Sequence, residues 1–342
     1  MRPINDTSRR KSEHIQIVLN ESVNSSLLNG FEKYQFEHQA LPEIDLAEVD
    51  LKTSLFKHEL QSPLLISSMT GGNKETAQIN RVLAKVAQDA GIALGVGSQR
   101  AGLEDPEKMA SFKVRDVAPD ILLFSNLGAV QLNYSYSVEN CQRVVETIQA
   151  DALILHLNPL QEALQPEGNT NFKGLLKKIE VICRKLTVPV IVKEVGWGIS
   201  SKVARELASA GVAAIDVAGA GGTSWSEVER FRIKDETRKK VAEGFKNWGI
   251  PTANSILEVK EGAPTVRIIA SGGLTNGIEV AKSIALGASL AGLAARFIKS
   301  ASISEDETQN LVSELNLQLR ICMFAAGIKD INALKQATLI RI

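Results

Sequence analysis

The chain has 342 residues, 44% of them hydrophobic, with 39 Lys+Arg against 39 Asp+Glu and no net charge. That length suits two ordinary domains or one large α/β barrel, and the apolar share excludes disorder, collagen and coiled coil. Zero net charge excludes a general nucleic-acid or anionic-membrane binder, since those rely on a basic excess.

Three cysteines, Cys141, Cys183 and Cys322, have no CxxC spacing. They fit a reducing compartment and supply neither a disulfide framework nor a zinc site. Residues 1–20 are polar and mixed in charge, without the apolar core of a secretory signal. The longest apolar runs are strand-sized, well short of the ~20 residues that span a bilayer. The expectation is a soluble cytoplasmic protein with no nucleic-acid or membrane partner.

From residue 62 onward, short apolar runs alternate with helix-period segments. The first run, 64–66, leads into Ser68-Met69-Thr70-Gly71-Gly72. A helix is predicted next, with Ile79, Val82, Leu83, Val86 and Ala90 on one face and Gly91 to stop it. The later runs are 92–97, 121–126, 152–158, 190–192 ahead of Lys193, 213–217, 266–270 and 290–294. Between them the pattern predicts a helix through Val114, one around Val144 and Ile148, and one carrying Phe172, Leu175, Ile179, Ile182 and Leu186. Another is capped by Ser200 and stopped by Gly211, and a last one opens on Asn276 and Glu279 at capping-box spacing and stops at Gly287.

Eight runs that are apolar throughout, each followed by a helical segment, read as parallel strands buried on both faces. Eight such units predict a single TIM (β/α)8 barrel over residues 62–342. A doubly wound open sheet usually has fewer strands. Residues 1–61 form an N-terminal arm expected to contribute to a substrate site. The sixth and seventh runs start at 213 and 266, 53 residues apart, with a charged stretch between them. This insertion, about 225–250, either covers the site, meets a neighbouring subunit, or is a solvated helix.

Barrels of this type build their sites at the carboxyl ends of the strands. Gly272-Gly273, residues 292–295 and Gly221-Gly222-Thr223 lie where a phosphate is commonly held on loop amides and a helix N-terminus. Lys193 follows three buried apolar residues and cannot stay uncompensated. It either pairs with Glu194 or Glu162, or projects toward a flavin carbonyl edge, a phosphate or a Schiff-base carbonyl. His156, Asn158, Gln161 and Glu162 form a dense polar cluster around Pro159, with His156 and Asn158 on one side of a strand. One carboxylate with amide neighbours suits magnesium completed by water and substrate phosphate. A histidine on a strand can equally be a satisfied structural residue. Arg9, Arg10, Lys11 and His14 are either a solvated tail or, folded over the mouth with Arg100, a diphosphate clamp.

Taken in order, Arg10-Lys11-Ser12-Glu13-His14, Met69-Thr70-Gly71-Gly72, Gly95-Val96-Gly97-Ser98-Gln99-Arg100, Asn126-Leu127-Gly128 and residues 156–162 resemble the type 2 isopentenyl-diphosphate isomerase family. Val192-Lys193-Glu194, Gly221-Gly222-Thr223 and Ser271-Gly272-Gly273 continue the resemblance, which covers nearly the whole chain. It implies an FMN-containing barrel that interconverts isopentenyl and dimethylallyl diphosphate in isoprenoid biosynthesis, with reduced FMN as acid and base and NADPH as the flavin reductant. It also implies a homotetramer or homo-octamer. FMN would contact Ser68, Met69, Thr70, Ser98, Asn126, Lys193, Thr223, Gly272, Gly273, Leu274, Ala294 and Ala295. The diphosphate would meet Arg10, Lys11, Arg100 and Gln161, with His156 and Asn158 nearby, and Glu162 would hold Mg2+. Gln161, Glu162, His156 and Lys193 would stand closest to the chemistry. Thr275, where many relatives carry a basic residue, and Trp197 depart from the family pattern.

Rival readings meet specific obstacles. An FMN-dependent hydroxy-acid oxidase needs a histidine base in the late barrel loops, but the four histidines are His14, His38, His58 and His156. An IMP-dehydrogenase-like enzyme needs a cysteine in the strand-six loop, which here carries Thr223 and Ser224. A flavin carrier has no use for a second anionic site.

Overall fold

The computed structural model describes residues 13–342 apart from residues 15 and 70. Eight short strands stand at the eight apolar runs: β1 (Leu64–Ile66), β2 (Ala93–Gly95), β3 (Leu123–Gly128), β4 (Ala152–His156), β5 (Val190–Lys193), β6 (Ala214–Asp216), β7 (Arg267–Ser271) and β8 (Leu290–Leu293). All neighbours pair in parallel and in chain order. The β8–β1 ladder, Ala291↔Leu64 to Leu293↔Ile66, closes the barrel. The fold is the expected TIM (β/α)8 barrel.

Strand periodicity explains why the runs are apolar throughout. Leu64 and Ile66 join the core formed with the surrounding helices, while Leu65 between them joins a second cluster with Ala93, Phe124, Ile154, Ile191, Ala214, Ile269 and Leu290. Successive side chains point to opposite faces, so both faces of each strand are dry.

Residues 53–60 belong to that inner cluster rather than to a polar arm. Thr53–Leu55 and His58–Leu60 pair as an antiparallel hairpin, and Leu55, Phe56 and Leu60 pack onto the inner residues near the strand starts. Phe56 meets Phe124 edge-on, with ring centroids 6.4 Å apart. The hairpin stoppers the amino end of the barrel, and the opposite mouth is left for chemistry.

The helices used below are α1 (Lys74–Ala90), α2 (Pro159–Leu164), α3 (Leu175–Lys185), α4 (Trp225–Arg232), α5 (Glu236–Glu243), α6 (Gly277–Leu286) and α7 (Ala295–Ile303). Gly91, with φ +61°, ends α1 as its spacing predicts. Three expectations need correction. The helix through Val114 is broken into Arg100–Glu104 and Pro106–Met109, because Pro106 has no amide to continue the first piece and Asp105 caps the second. Phe172 precedes α3, which starts after Gly174. Asn276 does cap α6 by accepting from the Glu279 amide, but the Glu279 carboxylate turns to the Thr275 amide and hydroxyl instead of closing a capping box.

The insertion forms α4 and α5, which pack on α2 around a small satellite core of Leu164, Ile233 and Ala242. No helix among the described residues is long and apolar enough to cross a membrane.

Candidate active site

One pocket opens at the carboxyl ends of the strands, and ten of the expected residues line it: Ser68, Met69, Ser98, Arg100, Asn126, His156, Asn158, Gln161, Glu162 and Lys193. These come from β1 to β5 and their following loops, far apart in sequence and joined only by barrel closure. Arg9, Arg10, Lys11 and Thr70 lie outside the described residues. Four lining residues escaped the sequence reading: Gln131, Gln165, Val195 and Trp225.

His156 ends β4 opposite Gly128 of β3, and its Nδ1 stands 2.8 Å from the Asn126 Oδ1. A Cβ at position 128 would sit 3.1 Å from the His156 Nε2, so the small residue leaves space for the ring. Asn158 is not on the strand, which ends at His156; it holds the N-cap position of α2, with Pro159 at N1. That geometry, rather than strand alternation, brings it into the site. Its amide nitrogen donates to Gln161 Oε1 and Glu162 Oε1, both at 3.1 Å, while its Oδ1 is buried with no hydrogen-bond partner among the described residues. The other Glu162 oxygen accepts from the Asn169 amide. That loop returns so closely that a Cβ on Gly168 would overlap the Glu162 carbonyl.

The insertion supplies the anion that organises this cluster. Glu229 of α4 is fully buried, and its Oε1 accepts from Gln161 Nε2 and Gln165 Nε2, each at 2.9 Å, and lies 3.0 Å from His14 Nε2. Its Oε2 pairs with Arg232 at 2.6 Å, and Arg232 also bridges Glu13 and Glu167 at 3.1 Å. Burial alone would raise the Glu229 carboxyl, but His14, Arg232 and Gln161 together bring it down to about 2. These contacts set one face of the charged insertion against the polar cluster of the site. His14 stands edge-on to Trp225 at 5.1 Å, so the arm and the insertion meet over the mouth.

Lys193 projects into the pocket wall and pairs with neither Glu194 nor Glu162. Its Nζ lies 3.2 Å from Asp216 Oδ2 and donates to Ser271 Oγ at 3.1 Å. Asp216 was hidden within an apolar run. Glu194 faces its own loop, where one oxygen accepts from the amides of Val195, Gly196 and Trp197 at 2.6 to 2.7 Å. Burial outweighs those donors and lifts its carboxyl to about 7. Arg100 is held by Glu104 at 2.7 Å.

Thr223, Gly272, Gly273, Leu274, Ala294 and Ala295 do not line this pocket; they form the neighbouring rim. The β6 and β7 loops interlock there: a Cβ on Gly273 (φ +75°) would sit 2.4 Å from the Gly221 carbonyl. Asn29 braces this rim by donating to the Gly273 carbonyl and to Glu279, and Asn24 bridges Thr223. Ala294 is the N-cap of α7, whose second residue, Arg296, reaches the carbonyl of Thr275. A basic side chain thus meets the strand-seven loop from α7.

The residues present fit a flavin. Ser67 Oγ and Ser68 Oγ, at the end of β1, are buried with no hydrogen-bond partner among the described residues. Next to them the wall is stripped to backbone: a Cβ on Gly95 would sit 2.3 Å from Ser68 Oγ, and one on Gly292 2.4 Å from Ser67 Oγ. For a metal, no group of three or more His, Cys, Asp or Glu converges among the described residues. Glu162 alone suits only an ion whose remaining ligands come from substrate and water.

Residues 158–341 match the FMN-dependent dehydrogenase family. Over 97% of its length the chain is 49% identical to an isopentenyl-diphosphate delta-isomerase of a Nostoc species, covering 95% of that protein. It is 51% identical to the protein of the same name from a Synechocystis species, over 98% of this chain and 97% of that one. Among solved structures, a lactate oxidase of Pediococcus acidilactici superposes with a TM-score of 0.70 at 18% identity, over 100% of this chain and 95% of that one. A mandelate oxidase superposes at 0.68 with 16% identity, over 98% of this chain and 99% of that one. Those two likenesses concern the fold alone.

Proposed function

The chain belongs to the isopentenyl-diphosphate delta-isomerase family, and we propose that it interconverts isopentenyl diphosphate and dimethylallyl diphosphate with FMN at the carboxyl ends of its barrel strands, in isoprenoid biosynthesis. One observation carries this reading. A flavin-type wall (Ser68, Ser98, Asn126, Lys193) and a second polar cluster (His156, Asn158, Gln161, Glu162) line the same pocket. A hydroxy-acid oxidase would need a late-loop histidine, and the two histidines that line the pocket are His14 and His156.

Ser68, Met69, Thr70, Ser98, Asn126, Lys193, Thr223, Gly272 to Leu274 and Ala294-Ala295 would hold FMN, the glycine rim and the α7 N-terminus taking its phosphate. When reduced, the cofactor supplies an acid–base group and an electron-rich ring beside the alkene, where a proton is gained at one carbon and lost at another. The chain positions the substrate. Arg10, Lys11 and Arg100 would clamp the diphosphate, and Arg100 exchanges its Glu104 contact for phosphate oxygens. Glu162 would share a Mg2+ ion with the diphosphate. Gln161 cannot swing, because Glu229 accepts from its Nε2 while Asn158 donates to its Oε1. This rigid amide and the free Asn158 Oδ1 orient the substrate without charging the alkene end. Lys193 supports negative charge on the reduced flavin, and Trp225 with His14 excludes water from the mouth.

NADPH as reductant, a homotetramer or homo-octamer, and a cytoplasmic setting complete the reading. Anaerobic incubation of the protein with FMN, NADPH, Mg2+ and isopentenyl diphosphate should yield dimethylallyl diphosphate. Flavin bound but no product would overturn it.

A further inference from the structure

We propose that Asp216 is a positioning residue that holds the Lys193 ammonium in the pocket wall, through a ring of contacts completed by Ser271 across β5, β6 and β7. The inference rests on the reading of the pocket as an FMN site. Lys193 and Asp216 are register partners on adjacent strands, and Ser271 ends the next strand. The Ser271 hydroxyl donates to Asp216 Oδ1 at 2.6 Å, which leaves its oxygen free to accept from Lys193 Nζ at 3.1 Å. Asp216 Oδ2 lies 3.2 Å from the same Nζ, and the Ala218 amide steadies Oδ1 at 3.3 Å.

An ammonium has three N–H donors. Ser271 accepts from one, and Asp216 Oδ2 faces the ammonium as its ion-pair partner, which leaves at least one donor for a ligand in the pocket that Lys193 lines. Asp216 is 1% exposed and Lys193 8%, so neither charge is covered by water. Taking away one partner leaves the other as an uncompensated buried charge, and a buried ammonium without its anion neutralises or turns toward solvent. Among the described residues Lys193 has no other ion pair, since Glu194 is spent on its own loop and Glu162 on Asn158 and Asn169. Asp216 therefore acts on a flavin through Lys193.

The test compares the dissociation constants of oxidised and dithionite-reduced FMN, with the variants Asp216→Asn, Lys193→Met and the double variant. The preference for reduced FMN should fall about tenfold in Asp216→Asn, the scale of losing one charge-assisted contact. In the Lys193→Met background the same substitution should change it less than about twofold, because the two residues act as one unit. Without FMN, each single variant should melt below the double variant, in which no uncompensated charge is buried. If Asp216→Asn does not fold, Ser271→Ala should lower the same preference by about threefold, losing one neutral hydrogen bond. An unchanged preference, an equal change with and without Lys193, or a double variant as unstable as the sum of its singles would overturn the proposal. Wild-type protein that binds FMN but does not isomerise would overturn the proposed function while these ratios still judge Asp216. Wild-type protein that takes up no FMN would overturn both.

Discussion

A carboxylate that accepts from two glutamines and faces a histidine and an arginine is worth most when it is ionised. Glu229 is in that position, with its carboxyl brought from 4.5 to about 2 in the folded chain. A group whose folded value is depressed contributes stability above its unfolded value, and loses it as pH falls through the folded one. The Glu229 contribution is therefore complete above pH 4.5 and decays toward pH 2, on the order of 3 kcal/mol in all at ~1.4 kcal/mol per unit. Glu229→Gln should destabilise the protein at pH 7, and the gap to wild type should narrow as pH drops from 4.5 to 3.5. Urea unfolding across that range checks it; a gap that stays constant would mean the ion pairs with Arg232 and His14 are energetically idle. Neither Glu229 nor Asp216 could be chosen from sequence. Glu229 is one acidic residue among many in a charged stretch, and Asp216 sits in a run that otherwise reads as plain strand. Their partners are set by barrel register and by the fold of an insertion, which local pattern does not encode.

At the scale of elements, most positions with a local cause were legible, the break at Asp105-Pro106 being the local one that was missed, and those set by tertiary contact were not. Gly91 and Gly287 end their helices, and Ser200 and Asn276 start theirs, because each cap is a contact within a few residues. The hairpin at 53–60 gave no such sign. Its two-residue turn has Phe56 at φ 49° and Lys57 at φ 68°, where Asn-Gly is the usual choice. A non-glycine residue in the left-handed region costs roughly 1–2 kcal/mol. Phe56 offsets that cost by packing on Phe124, whereas Lys57 is exposed. Lys57→Gly should therefore stabilise the protein by about 0.5–1 kcal/mol, the strain relieved less the added backbone entropy. Phe56→Gly should lower the melting temperature despite relieving the same strain. Thermal unfolding of the two variants decides this, and a loss of stability in Lys57→Gly would show that its side chain has a role the turn geometry does not reveal.

Across the whole molecule, neutrality and repetition told different halves of the story. The eightfold βα rhythm was readable because barrel closure repeats one local solution, dry on both faces of every strand. The neutral total hid a strongly uneven arrangement, in which Glu13, Glu167, Glu229 and Arg232 gather where arm, α2 and insertion meet. The barrel and the insertion are held by unequal means. The barrel strands sit between two large apolar cores, whereas α4 and α5 rest on a satellite core of Leu164, Ile233 and Ala242 and on those ion pairs. Apolar contact sets the free energy of local opening, so the insertion should open at a smaller cost than the barrel. Native-state hydrogen exchange should find the amides of α4 and α5 exchanging by sub-global opening, while those of β3, β4 and β5 exchange only near global unfolding. FMN and substrate, bound beneath the insertion, should raise protection of α4 and α5 more than that of the strands, since Trp225 and Glu229 face the pocket contents or their direct partners. Equal protection of insertion and barrel without ligand would mean the Glu229–Arg232 network welds the cover to the barrel as firmly as a hydrophobic core would.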